Sequence, residues 1–233
     1  MVQFSFAAGV PSEIKDGTQK AVDEWNEAMP WSPEGGNVEF CQRSGDSTLL
    51  SNGTICPEPA SPTRSVDDGR TVTIKVIDGT VPNADECNKP KSFACVIDDD
   101  SMGVPLGDAI GNQTMYIKSP AVAYGAGLDG SPRTVIWTLD EHDHERTMYD
   151  PDRRELVLRL YLPGVIMHEL GHAAGLGELR DQPEHSESVM HYSYDTYKRK
   201  VTSIPDVDAE YLRYNQQQGE SNQSGRIRRK VTR

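Results

Sequence analysis

Val2-Gln3-Phe4-Ser5-Phe6 alternates apolar and polar residues, the period of a strand with one buried face. Pro11 and Ser12 then start a helix, in which Ile14, Thr18, Ala21, Val22, Trp25 and Met29 recur at helical spacing until Pro30 stops it. From 31 to 70 the chain is rich in Gly, Ser, Pro and Asp and reads as a loop-rich insertion, with one short strand at Val38-Glu39-Phe40. Four further segments carry β-branched, alternating residues: TVTIKVI at 71–77, SFACVI at 92–97, TMYIK at 114–118 and TVIWTL at 134–139. Together with the opening strand they predict a sheet of about five strands.

The next apolar stretch combines two periods. ELVLRLYL at 155–162 alternates as a strand does, yet it runs straight into a helix start at Pro163. That helix is apolar through Val165, Ile166, Leu170 and Ala173, and Gly175 is its natural stop. A polar loop, the segment SVMHY at 188–192 and a final helix near 206–214 follow. From Gln216 the chain is a polar, disordered tail ending in RIRRKVTR. An opening strand and helix, a sheet of about five strands and a closing helix are the elements of an α+β fold.

Composition narrows the function classes. The 233 residues suffice for one domain with a core of its own, and no apolar run approaches a membrane span. A formal net charge of −12 disfavours nucleic acid as a partner and is compatible with divalent cations. The clusters Asp98-Asp99-Asp100 and Asp140-Glu141-His142-Asp143-His144 close two predicted strands; solvated acidic turns are the ordinary explanation, and a calcium site is the alternative.

The four cysteines, Cys41, Cys56, Cys87 and Cys95, form no C-x-x-C pair. In a secreted protein they predict two disulfides, with the local pairing 41 to 56 and 87 to 95; in a cytosolic one they are free thiols. Sequons at Asn52, Asn112 and Asn222 are compatible with secretion and do not decide it. The opening MVQFSFAAGVPSE lacks the basic and apolar regions of an export signal, so the expected extracellular setting puts such a segment outside this chain.

The chemistry concentrates in HELGHAAGLGE at 168–178. Residues four apart on a helix differ by about 40° in direction, so His168 and His172 project from one face and can reach a single metal ion. Glu169 points about 100° away, outside the ligand set but near a water on the same metal, where a general base belongs. Gly171, inside the helix, signals close packing or open approach, and Gly175 lets the chain turn sharply back.

HELGHAAGLGE followed by SVMHY resembles the metzincin clan of zinc endopeptidases, whose long motif is H-E-x-x-H-x-x-G-x-x-H with a downstream methionine turn. The SVMHY segment is similar to that turn in astacin-like members, and the strand-helix opening is more like matrixins. The resemblance implies a zincin-like catalytic domain over 1–215, with an upper lobe at 1–175 and a lower lobe at 176–215 that holds the Met-turn and final helix. It implies that His168 and His172 bind Zn2+, that Glu169 is the general base, that Met190 floors the metal and that Tyr192 stabilises the oxyanion. The implied substrate is a protein or peptide lying extended along an exposed strand, TMYIK at 114–118.

The departure is at the third ligand, where Glu178 stands for a histidine. A carboxylate is a legitimate zinc ligand, although its charge should raise the pKa of bound water relative to three histidines. His185, and after it Asp181, are the competing candidates if the segment after Gly175 is an insertion. The expected function is therefore a zinc metalloendopeptidase. Two other readings stay open: a catalytically silent zinc-binding or interaction domain, favoured by Glu178, and an intracellular metal-dependent hydrolase of another substrate. The pro-segment common in metzincins is not recognisable.

Overall fold

The structure, a computed structural model, describes residues 2–28, 40–42, 70–78, 80, 87–88, 92–98, 112–119, 121–123, 132–143, 147–179 and 187–191. It is an α+β arrangement. Strand β1 (Val2–Phe6) leads into helix α1 (Ser12–Ala28), and β2 (Phe40–Gln42), β3 (Arg70–Ile77), β4 (Ala94–Asp98) and β5 (Asn112–Lys118) complete a mixed sheet in the order β2-β1-β3-β5-β4. All neighbours in it are parallel except β4, which runs antiparallel to β5.

One face of this sheet is apolar because the alternation is kept in register. Phe4 lies opposite Val72 and Phe6 opposite Ile74, while Ile74 lies opposite Met115, which in turn lies opposite Val96. Helix α1 buries Ile14, Thr18, Ala21, Val22 and Trp25, the positions its period predicts. At its end Asn26 clamps β2, donating from Nδ2 to the Phe40 carbonyl at 2.9 Å and accepting the Phe40 N–H at 2.9 Å.

A second sheet departs from the expected one. It contains β6 (Ala121–Ala123), β7 (Arg133–Thr138), β8 (Thr147–Asp150) and β9 (Glu155–Tyr161) in the order β6-β7-β9-β8. TVIWTL, expected in the first sheet, supplies β7 and pairs in parallel with β9. Alternation reports which faces are buried, not which distant strand is the neighbour, so it could not separate the sheets.

The same limit explains a second correction. TMYIK at 114–118 is not an exposed edge, since β5 lies between β3 and β4. The edges of the first sheet among the described residues are β2 and β4.

Strand β9 passes directly into helix α2 (Leu162–Ala173), which settles the mixed pattern at 155–162: seven residues are strand, and the helix begins at Leu162. Tyr161 is still extended, and Pro163 in the first turn has the fixed φ and missing N–H that this position tolerates. Helix α2 is enclosed, with all twelve residues but His172 buried. Trp25 crosses from α1 to donate its indole N–H to the Met167 carbonyl at 3.0 Å.

Cys87 and Cys95 form a disulfide that ties β4 to the preceding segment. Cys41 is also disulfide-bonded, and Cys56, its expected partner, lies outside the described residues. So do the final helix at 206–214 and the tail at 216–233; of the expected lower lobe, 176–179 and 187–191 are described.

Candidate metal centre

Helix α2 carries His168, Glu169 and His172 in its last two turns. His168 and Glu169 are buried, and His172 is half-buried. The helix ends where expected: Gly175 takes φ 96°, a conformation that strains residues with a Cβ. The reversal is closed by the Gly175 N–H on the His172 carbonyl at 2.8 Å and the Leu176 N–H on the Gly171 carbonyl at 2.9 Å. It turns the chain back across the helix end, so that Glu178 faces the histidines.

Each imidazole is held from behind by a backbone carbonyl. His168 Nδ1 lies 2.8 Å from the Val189 oxygen, and His172 Nδ1 lies 2.9 Å from the Leu176 oxygen. A carbonyl only accepts, so both Nδ1 atoms carry hydrogen, and in the neutral rings the Nε2 atoms are the ones that can act as ligands. The two Nε2 atoms converge to 3.1 Å, with the rings nearly perpendicular at 88°. Two lone pairs at that distance repel unless a proton or a cation sits between them.

A carboxylate completes the group. Glu178 Oε1 is 4.0 Å from His168 Nε2, and the donor atoms of His168, His172 and Glu178 all lie within 4.8 Å of one another. Among the described residues this is the single group of at least three His, Cys, Asp or Glu side chains that could hold a metal ion. Two imidazoles and one carboxylate make a donor set suited to a divalent transition metal.

Met190 is fully buried and packs against the helix at Gly171. A Cβ added at Gly171 would collide with Met190 Sδ and stand 3.4 Å from the Trp25 ring, so the helix needs glycine there to seat on both. The close packing that Gly171 suggested is thus present. Tyr192, His185 and Asp181 lie outside the described residues.

The acidic cluster at 140–144 has a local role in what is described of it. Asp140 accepts the His142 N–H at 2.9 Å and so caps a 3₁₀ turn at Glu141–Asp143. Asp99, Asp100, His144 and the side chains of Asp98 and Asp143 are outside the described residues.

Sequence reasoning missed the groups that aim the imidazoles. The Val189 and Leu176 carbonyls belong to the backbone and carry no residue signature, and the link from Trp25 to Met167 joins positions 142 residues apart. No family model matches the chain, and no curated protein matches it.

Proposed function

We propose that the chain is a zinc-dependent metalloendopeptidase of metzincin type. The observation that carries this reading is the convergence of the His168 and His172 Nε2 atoms at 3.1 Å, each imidazole held by a carbonyl at Nδ1, with Glu178 beside them. Donors around tetrahedral zinc stand about 3.4 Å apart. Two of the separations here, 3.1 Å and 4.0 Å, lie either side of that value and all three donor atoms fall within 4.8 Å of one another, a set that suits a divalent transition metal, of which zinc is the one proposed. Carbonyls behind metal-binding imidazoles are the usual outer support of such sites.

Zinc held by His168, His172 and Glu178 would polarise the scissile carbonyl and make a water nucleophilic near neutral pH. The remaining work falls to the chain. Glu169, beside His168 on the helix, takes a proton from the attacking water and returns it to the leaving amine. Met190 supplies an apolar floor, and Tyr192, outside the described residues, is the side chain expected to stabilise the developing oxyanion.

The substrate is a peptide in extended form. Its docking edge is β4 rather than β5, because among the described residues β4 stands at the end of the first sheet, and it packs against α2. Main-chain hydrogen bonds to that side would add the substrate as a further antiparallel or parallel strand. The bonded Cys87, Cys95 and Cys41 support an oxidising, extracellular setting.

A catalytically silent domain is the second reading, favoured by Glu178 in the third-ligand position. Against it stands the buried Glu169, only 6 % exposed, since a carboxylate is costly to bury where fold alone is at stake. Metal analysis of the protein beside His172→Ala and Glu178→Ala tests the proposal. The expectation is about one zinc per chain in the parent and weakened binding in both variants. A parent without zinc affinity, or variants that bind as the parent does, would overturn it.

A further inference from the structure

The segment 188–191 touches both ends of the metal centre. Its Val189 carbonyl accepts the His168 Nδ1 hydrogen at 2.8 Å, and its Met190 carbonyl accepts the Leu179 N–H at 2.9 Å. Leu179 is next to Glu178 and also pairs with His191 in an isolated parallel bridge. One short turn therefore holds the first histidine from behind and pins the arm that carries the carboxylate.

The shape of that turn depends on Ser188, which is fully buried. Its Oγ accepts the Met190 N–H at 3.3 Å, and its carbonyl accepts the His191 N–H at 3.0 Å. Without the hydroxyl the Met190 N–H loses its acceptor in a buried place, and a buried donor left unmatched drives the backbone to rearrange. The Val189 and Met190 carbonyls lie within that backbone and must shift with it.

We propose that Ser188 is a positioning residue for the metal centre, whose hydroxyl holds the turn that orients His168 and Glu178 together. The inference rests on the metal reading above. Outer-shell groups that orient a ligand commonly govern affinity by about ten- to a hundredfold. Ser188 differs from them in acting on two donors at once through the backbone.

The test compares the full chain with Ser188→Ala, Ser188→Thr and, as a core control away from the site, Ile74→Val. Zinc affinity is measured by chelator competition, the visible spectrum is recorded with cobalt(II) bound, and the stability of each metal-free protein is measured alongside. Ser188→Ala is expected to weaken zinc binding about tenfold or more and to alter the cobalt(II) spectrum. Ser188→Thr, which keeps the hydroxyl, is expected to restore most of the affinity, and Ile74→Val to leave both metal readouts as in the parent. If Ser188→Ala binds zinc as the parent does with an unchanged cobalt(II) spectrum, the inference is wrong. It is equally wrong if Ile74→Val loses zinc affinity in proportion to the stability it loses, as Ser188→Ala does. A parent that takes up no zinc overturns the metal reading itself, and the inference with it.

Discussion

His168 donates from Nδ1 to the Val189 carbonyl oxygen across 2.8 Å, joining the end of helix α2 to a turn 21 residues later. That bond stabilises the fold even without metal. Replacing His168 with alanine leaves a buried carbonyl without its donor, at a cost of about 1–3 kcal/mol. His172 makes the matching bond to Leu176 in a part-buried place, where water can substitute. In the presence of a chelator, urea unfolding should therefore show a larger loss for His168→Ala than for His172→Ala. Equal losses would mean that the Val189 bond contributes nothing of its own.

Gly171→Ala is expected to destabilise the protein although alanine is the better helix former. The propensity gain is about 1 kcal/mol. Against it stands the displacement of the fully buried Met190 from its seat against Gly171, with overpacking costs of about 1–3 kcal/mol. Urea midpoints of parent and variant decide the sign, and a raised midpoint would contradict the packing described.

The disulfide between Cys87 and Cys95 closes a loop with a sequence separation of 8. Loop-closure entropy for so short a loop gives a stabilisation of about 2.5 kcal/mol. The double variant Cys87→Ala/Cys95→Ala should show a correspondingly lower Tm by calorimetry. Because the bond anchors β4, peptide KM should also rise if β4 is the docking edge; an unchanged KM would favour a docking surface elsewhere.

Tyr161, at the junction of β9 and α2, has its hydroxyl pKa pushed up to about 12 by burial, and further by the negative charges of Glu141, Glu24 and Asp140. In the unfolded chain it ionises near pH 10. Between about pH 10 and about pH 12 the unfolded state has lost this proton while the folded state keeps it, so stability falls as pH rises. Below pH 10 the group contributes fully. Urea titrations should show the parent losing stability relative to Tyr161→Phe across that window, and parallel curves would contradict the assignment.

How much the sequence carried depended on the range of each interaction. Strand β1 and helix α1 were legible because period alone decides them, and Ile14, Thr18, Ala21, Val22 and Trp25 are buried as the spacing implied. The boundary at Leu162 was not, because strand and helix patterns overlap where no loop separates them. Lateral strand order is hidden from the sequence too, so the place of TMYIK inside the first sheet and of β7 in the second comes from the structure alone. In the site, the juxtaposition of His168 and His172 follows from helix geometry. The approach of Glu178 depends on the reversal at Gly175, and the supporting carbonyls of Val189 and Leu176 depend on chain folding that no side chain announces.

The proposed peptidase depends most directly on Glu169. Glu169→Gln keeps the size of the buried side chain and the His168, His172 and Glu178 donor set, while it removes the base. Zinc content and hydrolysis of casein or a peptide, measured on parent and variant in the same preparation, give the result. The prediction is an unchanged zinc content, with hydrolysis lower by about a hundredfold or more and abolished in the parent by a chelator. Hydrolysis that persists undiminished in Glu169→Gln, or a zinc-loaded parent that cleaves no peptide bond, would contradict the proposed peptidase.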